Sequence, residues 1–172
     1  MRRVLHRLLA GCLALLLTAC GPTGGSVPTD AWAASPYTDE QLNQSDTLSM
    51  RTGADSYPVG SESVLVLLAN SGEEEAGYGV EYTLEKQTED GWKVVPFRDD
   101  ASWIEIGVIL PAGGENEEKL DLTLLDLPSG AECAAGSYRV IKQVGGAVLA
   151  APFRLVEQAE EQPGPVEQNP VT

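Results

Sequence analysis

The chain has 172 residues, room for one domain and its appendages. Its 26 acidic residues against 11 basic ones give a formal charge of −15. A surface this acidic repels phosphate backbones and anionic headgroups, whose binding rests on clustered Lys and Arg, so no nucleic-acid partner is expected. Hydrophobic residues make up 42%, enough for a packed core, while 18 Gly and 11 Pro favour short strands and many turns over long helices.

The first segment reads as an address. Arg2, Arg3 and Arg7 precede an apolar run over residues 8–17, interrupted only by Gly11, and the small residues Thr18 and Ala19 follow before Cys20. This is the pattern of a secretory signal peptide over residues 1–19, its apolar run too short for the ~20 residues that span a bilayer. Leu17-Thr18-Ala19-Cys20 is similar to a bacterial lipobox, in which the Cys thiol is diacylated and the chain is cleaved just before it. Cys20 is therefore the expected lipidation site, since two acyl chains give the stable membrane hold that one does not. Cleavage there removes three arginines, leaving 8 basic residues against 26 acidic and a charge of −18, so lipid rather than charge must hold the protein to the cell membrane, facing outward. Cys12 lies in the signal, which leaves Cys133 as the lone thiol of the mature chain, and an intramolecular disulfide is excluded. Cys133 sits among small residues and reads as incidental, because reactivity needs an electropositive neighbourhood.

Residues 20–45 read as the lipidated Cys followed by a flexible linker, with Gly, Pro and polar residues and no sustained period; Trp32 stands alone in it. From Leu48 onward, apolar runs of strand length alternate with turn residues, the signature of an all-β sandwich or barrel. About seven antiparallel strands can be placed over residues 46–156. Residues 47–52 alternate, and 61–69 are dense enough in Val and Leu for a central strand. Tyr78, Val80, Tyr82 and Leu84 recur at spacing two, opposite a wet face carrying Glu81, Thr83 and Glu85. Asp90-Gly91 then turns the chain into a returning strand over 92–97, which Pro96 assigns to a sheet edge. Strands follow over 102–110 and over 119–125, the latter with Leu120, Leu122 and Leu124 inward. A hairpin of 137–144 and 147–156 closes the set through Gly145-Gly146. Residues 157–172 mix Glu and Pro with little apolar surface and read as a disordered acidic tail.

Several phrases together resemble a bacterial immunoglobulin-like domain family of Gram-positive lipoproteins. They are Tyr57-Pro58-Val59-Gly60, Asn70, Tyr78-Gly79, Leu84-Glu85-Lys86, Gly91-Trp92, Pro96 and the run from Gly136 through Ser137, Tyr138, Arg139, Val140 and Ile141 to Lys142. The resemblance implies an immunoglobulin-like β-sandwich. A Tyr near the start of the penultimate strand suits the tyrosine corner, whose hydroxyl bonds to upstream backbone, and Tyr138 is the candidate. Val140 stands where an antibody domain carries its second Cys, so an apolar contact must replace the disulfide.

The only histidine, His6, lies in the signal peptide, which removes Ser-His-Asp and Cys-His arrangements and the usual Zn or Cu sites from the mature chain. No phosphate-binding Gly-rich loop is present, so neither enzymatic activity, metal nor cofactor is expected. Asp99-Asp100 and the group Glu115, Glu117 and Glu118 read as solvated loop charge, because their spacing does not suit an EF-hand. Trp103, Tyr78, Tyr82 and Phe97 read as core, whereas Trp92, beside a turn, is the candidate ligand contact. Three functions stay open: a lipid-anchored adhesion or accessory module with a protein or cell-wall glycan partner, a glycan- or Ca²⁺-binding module assisting a cell-wall enzyme, and an inhibitor or sensor acting through an exposed strand edge at 92–97.

Overall fold

A computed structural model describes residue 29, residues 31–127 and residues 133–158. The signal segment, Cys20 and the tail beyond residue 158 lie outside the described residues. The architecture is a β-sandwich. Its strands are β1 (Leu48–Thr52), β2 (Ser56–Pro58), β3 (Ser63–Asn70), β4 (Ala76–Gly79), β5 (Thr83–Thr88), β6 (Gly91–Val94), β7 (Gly107–Leu110), β8 (Glu115–Asp121), β9 (Gly136–Val144) and β10 (Ala147–Val156). One sheet has the order β1-β3-β8; the other runs β2-β10-β9, with β5 against the first half of β9 and β6 beyond β5, and β4 against the end of β9 and β7 beyond β4.

Alternation along the central strands makes the core. Val64, Val66 and Leu68 of β3 face Tyr138, Val140 and Val144 of β9 and Leu149, Ala151, Phe153 and Leu155 of β10 in one buried cluster. Full burial of each such apolar side chain stabilises the fold by roughly 1.5–3 kcal/mol before entropy is counted. The β9–β10 hairpin turns through Gly145 and Gly146, both at positive φ (55° and 83°), as a two-residue loop between right-twisted strands requires.

The structure corrects the expected strand list in several places. The single strand expected from Tyr78 to Leu84 is two, because the ladder breaks between Gly79 and Thr83. The carbonyls of Gly79 and Glu81 turn inward there to accept from Lys142 Nζ at 3.1 and 3.2 Å. Only Gly107–Leu110 of the expected strand over 102–110 is extended: Trp103 instead folds against Tyr82 and Phe97, with ring centroids 5.0 and 5.3 Å away. Glu115, Glu117 and Glu118 belong to β8 rather than to a loop, and β8 stops at Asp121. The Asp121 carboxylate accepts from the Thr123 backbone N–H and starts a 3-10 turn, Leu122–Leu124, so Leu125 and not Leu124 is buried. The set is not wholly antiparallel either, since β2 runs parallel to β10.

The largest correction concerns the linker. Residues 31–45 lie across the outer face of the larger sheet as an ordered strap. At one edge Ala33 and Ser35 bond to β6: Val94 N–H donates to Ala33 O at 2.8 Å and Ser35 N–H to Trp92 O at 2.9 Å. The 92–97 edge is thus occupied by the chain itself. At the opposite side Asn43, at φ 56°, caps the unpaired edge of β10: its amide group donates to Ala150 O, its carbonyl accepts from Ala150 N–H, and its own N–H donates to Val148 O. Between these ends Leu42 and Tyr37 pack on Ile141, Ala150 and Val148. Trp32 packs against the main core as well, and composition hid the strap because these few scattered apolar residues follow no period. Truncating Leu42 to Ala is expected to lower unfolding free energy by about 2–3 kcal/mol in urea titrations, whereas a free linker would give a change within about 0.5 kcal/mol.

Candidate functional site

The outer face of the larger sheet carries the polar side chains that the core cannot take, and the strap divides it in two. Under the strap, Arg139 of β9 is almost fully buried. Its Nε donates to Glu85 Oε2 at 2.7 Å, its Nη1 to Asp39 Oδ1 of the strap at 2.8 Å, and its Nη2 to Ser35 Oγ at 3.4 Å. Glu85, placed by alternation on a wet face, is instead wholly buried, because the strap covers that face; its Oε1 has no hydrogen-bond partner. The guanidinium lies 4.2 Å from the Trp92 ring centroid, a cation–π contact strengthened by burial.

Beyond the strap the same face is open. Trp92 and Gln87 on the β5–β6 hairpin, Ser137 on β9, Pro152 and Arg154 on β10, and Asp55 before β2 line a groove of about 400 Å³. Gln87, Ser137, Arg154 and Asp55 are all exposed. Trp92, singled out in the sequence as a candidate ligand contact, is half-buried at this groove, and the residues around it come from four separate segments that no spacing connects.

A second polar cluster crosses the interior. Lys142 Nζ is fully buried, approaches Glu118 Oε2 of the other sheet at 2.8 Å as an ion pair without hydrogen-bond alignment, and sits 5.4 Å from the Tyr78 ring centroid. Asn116 completes it, donating to Tyr78 Oη at 3.1 Å and Ile109 O at 3.0 Å. With two hydrogen bonds to backbone carbonyls and an ion pair to Glu118, Lys142 stitches the two sheets at this cluster.

Tyr138 lies where the tyrosine corner needs it: its hydroxyl donates to Ala134 O at 2.6 Å, and its ring stacks on Phe153. Val140 is fully buried in the core. Burial pushes the Tyr138 hydroxyl up, and does the same to Tyr82, whose hydroxyl donates to Asp121 O at 2.6 Å. Cys133 is buried beside Tyr138 and its thiol is pushed up to about 11 by burial, the reverse of what a reactive thiol requires. Asp99 and Asp100 lie in an exposed turn, with Asp100 paired to Arg98 at 3.2 Å. Among the described residues no group of three His, Cys, Asp or Glu side chains is placed to hold a metal ion.

These features define a β-sandwich module whose accessible chemistry is a surface groove. The chain belongs to the bacterial Ig-like domain family, whose sequence model matches residues 44–160, so the match begins within the strap. Domains of this family are typically non-enzymatic. No characterised protein matches the chain. Among solved structures, the alkylpurine DNA glycosylase AlkC of Pseudomonas fluorescens, bound to DNA containing an abasic site analog, is similar at 15% identity with a TM-score of 0.37; the likeness covers 68% of this chain and 32% of that one.

Two outcomes are expected. Replacing Arg139 by Ala strands Glu85 as a buried uncompensated charge and costs about 3–5 kcal/mol, whereas Asp39→Asn, at an exposed carboxylate, costs less than about 1 kcal/mol; denaturant titration measures both. Cys133, Tyr82 and Tyr138 are all pushed up by burial, so in the unfolded chain they deprotonate first. The stability they contribute is complete below pH ~8.5 and is lost as pH rises toward 11 and beyond. Unfolding free energies that stay flat to pH ~10.5 would contradict this assignment.

Proposed function

We propose that the protein is a lipid-anchored module on the outer face of the cell membrane that binds a partner without turning it over. The reading is carried by the Trp92 groove, which combines a fixed aromatic ring with exposed polar side chains. An address segment ending in Leu17-Thr18-Ala19-Cys20 supports the anchored part, with Cys20 carrying the diacylglyceryl group. Membership in the bacterial Ig-like domain family supports binding or adhesion in place of catalysis.

The alternative in which residues 92–97 offer a free strand edge is disfavoured, because strand addition needs unpaired backbone groups and the strap already bonds to Trp92 and Val94. Calcium is a poor second ligand: Glu118 is committed to Lys142, and six or more converging oxygens are needed. Intact-mass analysis of membrane-extracted protein tests the anchor. A chain beginning at Cys20 with a diacylglyceryl-sized addition is expected, and a Cys20→Ala variant is expected to lack it. An unmodified full-length wild-type chain would overturn the localisation.

A further inference from the structure

The groove beside Trp92 has a chemistry specific enough to name the class of its ligand. Its aromatic wall is rigid before anything binds, because the indole rests on the Arg139 guanidinium, 4.2 Å from the ring centroid, and Arg139 is itself held by Glu85 and Asp39. A ring fixed in this way presents apolar surface at little further cost in conformational entropy, which is the condition for efficient stacking. Around it stand an amide (Gln87), a hydroxyl (Ser137), a guanidinium (Arg154) and a carboxylate (Asp55), with the apolar face of Pro152 on one side. Gln87 and Arg154 are exposed, and neither is tied to another side chain of the described residues by a hydrogen bond or ion pair. The groove therefore offers both donors and acceptors close to an apolar plate, with one positive and one negative group and no net charge.

We infer that this groove is a binding subsite for a neutral pyranose glycan. A sugar ring has one face rich in C–H groups, suited to the indole, and a rim of hydroxyls that both donate and accept, suited to Asp55, Arg154, Gln87 and Ser137. An extended peptide fits less well, because the strands beneath the groove are paired within the sheet and the β6 edge is filled by residues 33–35. An anionic polymer is disfavoured by the protein's charge of −15 and by Asp55 inside the groove, and a cation by Arg154. At about 400 Å³ the space lies in the range of small-ligand sites.

The inference rests on the reading of the chain as a binding module, but its test is independent of the anchor. The full-length protein is titrated with cellotetraose and with the β-1,4-linked tetramer of N-acetylglucosamine, followed by tryptophan fluorescence, with polygalacturonate as the anionic comparison. Saturable binding of a neutral tetramer is expected, with affinity falling at least tenfold in Trp92→Ala. Because Trp92 also contacts Arg139, the exposed Gln87→Ala and Arg154→Ala variants are measured alongside, and each is expected to weaken binding several-fold with an unchanged unfolding midpoint. The groove assignment is overturned if neither tetramer binds, if polygalacturonate binds in their place, or if both exposed-residue variants bind as tightly as wild type. Any of these results obtained with protein that carries its diacylglyceryl group on Cys20 removes the glycan subsite and leaves the anchored module standing.

Discussion

The fold depends on β9 being buried on both faces. In a two-sheet sandwich each strand ordinarily has one dry face and one wet face, and β9 supplies the first in the usual way, through Tyr138, Val140 and Val144. Its other face carries Arg139 and Ile141, which only the strap keeps from water. A buried guanidinium is tolerable when its donors are directed at acceptors, and Arg139 finds them in Glu85 on the neighbouring strand and Asp39 and Ser35 on the strap. The charge pair on the sheet and the docking of the strap are thus one structural fact. Without the strap, the sheet would present a solvated ion pair; without the ion pair, the strap would lose its central polar anchor and keep only Leu42, Tyr37 and its two ends.

The interior uses the same device in reverse. Lys142 points into the sandwich, where an apolar residue would be the ordinary choice, and its ammonium is satisfied by the two carbonyls freed at the break between β4 and β5 and by Glu118 across the sheets. A break in a central strand leaves carbonyls that cost free energy if buried unpaired. Placing a cation with three donors there removes that cost and joins the sheets at the same point. Asn116 and Asn70 act alongside it on the β7–β8 side, the second donating to Glu74 O and Leu110 O.

What the sequence disclosed follows from which interactions are periodic. Spacing two in β1 and β3 comes from a core contacted on one side, and the β9–β10 hairpin is marked by its Gly145-Gly146 turn, so those strands could be placed from residues alone. The tyrosine corner at Tyr138 was readable for a related reason, because it is local to the start of one strand. Residues whose environment is set by a distant segment were misplaced. Glu85 looked wet because the strap that buries it lies some forty residues upstream and has no pattern of its own. Leu124 and Leu125 exchanged places because Asp121 caps a 3-10 turn that shifts the register. Trp92 stood out in the sequence by its place beside a turn, while Ser137, Arg154 and Asp55 meet it only through the packing of distant segments.

The same covering that blocks one mode of recognition prepares another. Residues 33–35 pair with β6 and remove the backbone edge through which an extended peptide would add. Farther along, Asp39 of that strap bonds Arg139, and Arg139 backs the Trp92 ring. The strap therefore closes the edge of the sheet and, through two side chains, stiffens the wall of the groove on its face. A binding face held in this way keeps its geometry whatever the more N-terminal residues do, because the contacts that fix it begin at Ala33 and end at Asn43, within the folded module.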